Sequence, residues 1–182
     1  MEYWNKKLLA DAQTGNVNDM KICLENKADI EYQSELGWTA LMLAAMGGHL
    51  EVCRLLIDTG CKIDTTTGSG VTALMWAAEE GHLEVCRLLI DTGCKIDATH
   101  GGGWTALMLA AWRGHLEVCR LLIDTGCKID TTTSDEGYTA LHIAAVSGRL
   151  QITRCLVEQG GASPLVTTRR VIFYSIYPVF NY

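Results

Sequence analysis

The sequence predicts an all-α fold, an α-solenoid of stacked helical hairpins, and three observations predict it. The string HLEVCRLLIDTGCKID occurs verbatim at residues 49–64, 82–97 and 115–130. The copies start 33 residues apart, a period at which a two-helix unit repeats and stacks. Between the copies the same punctuation recurs: a Thr, a run of small and apolar residues ending in an Ala pair, and a Gly.

The repeated string reads as the second helix of each unit. At about 100° per residue, Glu51, Arg54 and Asp58 fall within about 60° of one another, while Leu50, Val52, Cys53, Leu55, Leu56 and Ile57 take the rest of the circumference. A narrow wet stripe is therefore expected, with neighbouring copies covering the other sides. Glu51 with Arg54, and Arg54 with Asp58, stand at helical neighbour spacing and add weak charge pairing. Gly60 follows as a left-handed helix end.

The first helix of each unit opens at Thr39, Thr72, Thr105 or Thr139, each followed by Ala-Leu, because a Thr hydroxyl can accept from a free amide of the first turn. It runs to Ala44-Ala45, Ala77-Ala78, Ala110-Ala111 or Ala144-Ala145, whose small side chains allow close helix approach, and ends near Gly48, Gly81, Gly114 or Gly148. Residues 64–71, DTTTGSGV, are rich in Thr and Gly and read as a projecting turn or hairpin. Each unit is thus turn, helix, turn, helix.

Those residues resemble the ankyrin repeat. Its pattern, G-x-T-P-L-H-x-A-A-x-x-G-H-x-x-x-V-x-x-L-L-x-x-G-A-D-x-N, is matched by Gly37-Trp-Thr-Ala-Leu-Met-Leu-Ala-Ala-Met-Gly-Gly-His-Leu-Glu-Val-Cys-Arg-Leu-Leu and its copies, over about residues 6 to 164. The resemblance implies an ankyrin-repeat α-solenoid, helix-turn-helix units joined by β-turn or hairpin loops. Ala stands for the family's Pro, Met42, Met75 and Met108 for its His, and Cys61, Cys94 and Cys127 for its Ala. The Met residues remove a hydrogen-bonding group, so a weaker tie to the preceding Thr is expected in three repeats.

The chain's 182 residues, 48% hydrophobic, suffice for one continuous domain of about five repeats. A net charge of −6 and a pI near 5.3 argue against nucleic acid, which normally meets a basic stripe. No apolar run reaches the ~20 residues of a membrane span, and residues 1–20 lack a signal-peptide core. Asn-x-Ser/Thr sequons are also missing. The expectation is an intracellular, cytoplasmic protein and a monomer, with the nucleus as the alternative compartment. Cys53, Cys86 and Cys119 share one repeat position and Cys61, Cys94 and Cys127 another. Equivalent positions of stacked helices lie roughly 8–10 Å apart, too far for a disulfide. Their spacing does not match paired zinc ligands either. With Cys23 and Cys155, which fall where other copies carry Leu, they read as reduced core residues.

In order along the chain, residues 1–31 read as an N-terminal capping repeat, more polar because a stack end faces water. Four repeats follow at 32–64, 65–97, 98–130 and 131–164. The last has one extra turn residue, since Ile129 to Thr139 spans ten positions against nine elsewhere. Residues 165–182 form an apolar, aromatic tail without repeat signature, carrying the β-rich run VIFYSIY; it reads either as a substitute cap folded onto the last repeat or as an unstructured or truncated end.

Chemistry is hard to find. His49, His82 and His115 follow a Gly, where the resemblance implies a structural hydrogen bond between loops. His142 is the family's His, and His100 lies in a Gly-rich turn without a second ligand nearby. Glu79 and Glu80 are adjacent on a helix and point apart, which disfavours shared acid–base work. Gly101-Gly-Gly is read as opening a helix after a turn, but it lacks the preceding strand, the spacing and the Lys of a phosphate loop. We therefore expect no enzyme, no cofactor and no metal site.

The positions where the copies differ are more informative. After the turn Gly stand Trp38, Val71, Trp104 and Tyr138; after the Ala pair stand Met46, Glu79-Glu80, Trp112-Arg113 and Val146-Ser147. The resemblance places such turn and first-helix positions on the concave binding face. We read Trp38, Met46, Val71, Glu79, Glu80, Trp104, Trp112, Arg113 and Tyr138 as partner-binding, with the Trp residues as exposed anchors and the charges as selectivity. Trp76, matching Leu43, Leu109 and Ile143, reads as partly buried. The expected function is a protein–protein interaction module or scaffold. The alternatives are a fragment or regulatory segment of a larger multidomain protein, such as an enzyme or ubiquitin-ligase adaptor, whose activity lies outside this chain, and a Trp-lined small-molecule binder.

Overall fold

The computed structural model describes residues 1–163; the expectations for the 165–182 tail lie outside them. The described residues form ten helices and no strand. They fall into two compact units, one of residues 1–95 and one beginning at Ile96.

In the first unit, α1 (Glu2–Thr14), α3 (Ala40–Met46) and α5 (Ala73–Glu80) make one row, and α2 (Val17–Glu25), α4 (Leu50–Asp58) and α6 (Leu83–Asp91) make a second row packed against it. In the second unit, α7 (Ala106–Arg113) with α9 (Ala140–Val146) and α8 (Leu116–Asp124) with α10 (Leu150–Glu158) repeat the arrangement. This is the α-solenoid packing that the 33-residue period predicts.

The Thr residues start the helices as their chemistry requires. Thr39, Thr72 and Thr105 each accept from the amide three residues on at 3.3 Å. Where His replaces Met the tie is doubled, for Thr139 N donates to His142 Nδ1 at 3.3 Å and the Thr139 hydroxyl lies 2.8 Å from the same nitrogen. His142 thus completes a capping box that Met42, Met75 and Met108 cannot form. Each Ala pair before Met46, Glu79 and Trp112 is fully buried, so helix backbones come close in the first row.

The second helices bury a narrower face than their sequence suggests. Val52, Cys53 and Leu56 are fully buried, as are their counterparts in α6 and α8, but Leu50, Leu55 and Ile57 are only half-buried. A helix in the outer row is covered by its own first helix and by row neighbours, and its remaining flank stays partly open. The charge pairing goes to Glu rather than Asp: Arg54, Arg87 and Arg120 lie 4.0, 3.8 and 3.0 Å from Glu51, Glu84 and Glu117.

Within each unit, successive repeats are tied by two polar contacts that recur with the repeat. His49 Nε2 lies 3.0 Å from the Gln13 carbonyl, and His82 Nε2 lies 3.0 Å from that of Met46. The ring packs on the preceding repeat's glycine: a Cβ on Gly48, at φ 70°, would meet the His82 ring at 2.5 Å. In the second unit Arg149 does the same work, its Nε donating to the Trp112 carbonyl at 3.2 Å. The second tie runs between loops. Glu31, Asp64, Asp97 and Asp130 accept from the amides of Lys62, Lys95, Lys128 and Ser163 at 2.6, 2.8, 2.7 and 3.4 Å.

The turns are tight and carry no ladder among the described residues. Ser34 N donates to Trp38 O, Thr67 N to Val71 O and His100 N to Trp104 O, each four residues on, at 2.9, 3.0 and 3.2 Å. The fourth turn accommodates its extra residue here, with Thr133 N donating to Tyr138 O five residues on at 2.9 Å. Gly101–Gly103 lies in such a turn, ahead of Thr105, rather than at the helix start.

Candidate functional site

In the first unit, the turn side chain of one repeat meets the first helix of the next. Trp38 stacks on Trp76 of α5 with ring centroids 4.7 Å apart and planes at 26°. Both indoles line two hollows. One, about 740 Å³, opens between the turn tips beside Glu35, Leu36 and Thr66; the other, about 480 Å³, has a floor of Leu9, Leu43 and Met46. Trp76 is half-buried and its Nε1 is sealed from solvent, the buried side-chain polar atom without a hydrogen-bond partner among the described residues. Such a group costs about 1–3 kcal/mol, so its presence calls for a reason.

The other predicted residues of this unit have separate roles. Val71 is half-buried and closes its own turn, its amide donating to Thr67 Oγ1 at 3.2 Å. Glu79 is half-buried and makes polar or electrostatic contacts of its own, while Glu80 is exposed at the end of α5, one helical turn from Trp76.

The second unit presents an aromatic ladder. His100 lies parallel to Trp104 at 6.4 Å, Trp104 meets Trp112 edge-on at 6.1 Å, and the Arg113 guanidinium sits 4.4 Å over the Trp112 ring. A cation over an indole face is attracted by the ring quadrupole. Trp112 is 42% exposed, whereas Trp38 and Trp104 are half-buried, so of the three indoles expected in the open only one stands there. The ring partners explain this, since each of the other two is covered by a neighbouring aromatic. The Tyr138 ring lies 6.1 Å from that of His142 in α9, and its backbone amide donates to Thr133 Oγ1 at 3.0 Å, closing the turn.

The structure therefore gathers Trp38 with Met46, and Trp104 with Trp112 and Arg113, and leaves Val71 and Tyr138 in their turns. Sequence reasoning missed Trp76 and His100 as members of the clusters. For Trp76 the repeat register brings a first-helix residue near the preceding repeat's turn, and His100 shares the turn of Trp104, but neither signal fixes how the rings face.

The thiols do not make a reactive centre. Burial pushes Cys53, Cys61, Cys86, Cys94 and Cys127 up to about 12 and Cys23 to about 11, and raises Cys119 and Cys155 too. A thiol held protonated is a poor nucleophile and metal ligand. Among the described residues no group of three or more His, Cys, Asp or Glu is placed to hold a metal ion, and no helix is long and apolar enough to cross a membrane.

A family model of ankyrin repeats in three copies matches residues 8–100 and again 94–168. No curated protein matches the chain. Ankyrin repeats are generally protein–protein interaction modules, typically without catalytic activity. With helix pairs, turn geometry and sequence model in agreement over most of its length, the chain belongs to the ankyrin repeat family.

Proposed function

We propose that the chain is a non-catalytic scaffold that binds a partner protein through its turns and first helices. Trp38 and Met46 are the anchors of the first unit, and Trp104, Trp112 and Arg113 those of the second. Val71 and Tyr138 shape the turns, and Glu79 and Glu80 supply charge selectivity. The observation that carries this reading is Trp112. It is 42% exposed and overlaid by Arg113, on a helix whose buried residues repeat those of its neighbours. An exposed indole contributes little to stacking but is the side chain that interfaces most often use as an anchor.

The same reading makes residues 1–31 a capping repeat in front of four repeats, and the protein an intracellular monomer. Its eight cysteines, all free, suit a reducing compartment. Affinity capture from cell extract tests the proposal. The wild-type chain retains a partner that Trp112→Ala loses, while the melting temperatures of the two agree. Equal capture by both overturns it.

A further inference from the structure

We infer that the hollow beneath the Trp38–Trp76 stack of the first unit is the docking site for a basic segment of a partner protein, in which a bulky apolar residue is flanked by lysine or arginine. This rests on the partner-binding reading and names the chemistry of the partner.

The floor of the hollow is apolar, formed by Leu9, Leu43 and Met46 with the two indoles, and its volume of about 480 Å³ lies within the range of sites that enclose a ligand group. An apolar side chain placed there gains about 25 cal/mol for each Å² removed from water. Trp76, one of the two indoles that line the hollow, also carries a buried donor without a partner among the described residues, its Nε1.

Charge decides which segment enters. Glu35 lines the neighbouring hollow between the turn tips, which shares Ser34, Trp38 and Trp76 with this one, and Glu80 stands one helical turn beyond Trp76; both are exposed. Lys6 lies within electrostatic reach of Glu35, but its ammonium is held by Glu2 at 2.7 Å. The imbalance extends over the whole unit. Residues 1–95 contain 14 acidic and 8 basic side chains, which accounts for the full −6 of the chain, whereas residues 96–182 contain seven of each. An acidic segment is repelled from such a surface and a basic one steered towards it. In the second unit the exposed indole already carries its own cation, Arg113, so a partner's lysine has no equivalent seat there.

Panning a displayed library of short random peptides against the purified full chain tests the inference. Peptides with Leu, Ile or Phe beside Lys or Arg are enriched. A synthetic peptide from that pool loses at least about tenfold in affinity on the double substitution Glu35→Lys, Glu80→Lys, and also on Trp38→Ala. Both glutamates are exposed, so the charge reversal leaves the melting temperature in place and separates lost binding from lost folding. Trp112→Ala leaves the affinity within about twofold. Enrichment of acidic or uncharged peptides, or affinity unmoved by the charge reversal, overturns the inference. If binding is instead abolished by Trp112→Ala alone, the inference falls and the partner-binding reading stands. Failure to enrich any peptide overturns both.

Discussion

The second helices α4, α6 and α8 are identical in sequence, while the first helices α3, α5 and α7 differ at their ends and, in α5, at Trp76, where the others carry Leu43 and Leu109. The structure shows what separates the constant text from the varied. The constant string holds the residues that stacking uses, with Val52, Cys53 and Leu56 buried, His82 on the Met46 carbonyl and Asp64 on the Lys95 amide, beside its exposed stripe of Glu51, Arg54 and Asp58. Varied positions are those that stacking leaves open: Met46 half-buried, Glu80 and Trp112 exposed. Even within a single first helix the Ala pair is constant and the residues after it are not. Internal repetition thus marks the scaffold, and its interruption marks the surface available for recognition.

Substitutions sharpen that contrast, beginning with the scaffold. Leu89→Ala empties a fully buried site in one copy of the string and costs about 2–5 kcal/mol, read as a lower urea midpoint. His82→Ala removes both the contact to the Met46 carbonyl and the ring that packs on Gly48, and costs about 1–3 kcal/mol. Thr105→Ala removes the cap of α7 and costs about 1 kcal/mol. Trp112→Ala, by contrast, changes stability by no more than about 0.5 kcal/mol while abolishing partner capture. A Trp112→Ala loss as large as that of Leu89→Ala would break the distinction.

Alkaline titration addresses the cysteines as a group. Burial raises their folded pKa above the unfolded value of about 8.5. The folded state then keeps protons that the unfolded state releases, so stability is full below about pH 8.5 and is lost as the pH climbs towards 12. Unfolding midpoints measured from pH 7 to 10 fall accordingly, and alkylation of the folded chain at pH 8 is at least about tenfold slower than that of the urea-unfolded chain.

Much of this organisation was legible in the sequence because a repeat prints its own constraints. The caps at Thr39, Thr72, Thr105 and Thr139, the weaker tie where Met replaces His, and the extra residue of the fourth turn follow from local chemistry, which acts over a few residues. Partnerships between repeats were harder to read. That Trp38 would lie against Trp76, or His100 against Trp104, depends on ring orientations fixed only after the helices stack. The same limit explains the half-buried Leu55 and Ile57: periodicity gives the apolar arc of a helix but not how many neighbours will cover it. Asp64 and its equivalents went unnoticed as ties, since a carboxylate at a loop resembles any solvated charge until the next repeat's amide arrives opposite it.

The most direct test of the division between scaffold and recognition text is amide hydrogen exchange of the chain alone and bound to its captured partner. Binding is predicted to slow exchange in the turns around Trp38, Val71, Trp104 and Tyr138 and at the ends of α3, α5 and α7, with the three copies of HLEVCRLLIDTGCKID unchanged. New protection concentrated in those three copies, with the turns unaffected, would contradict the account.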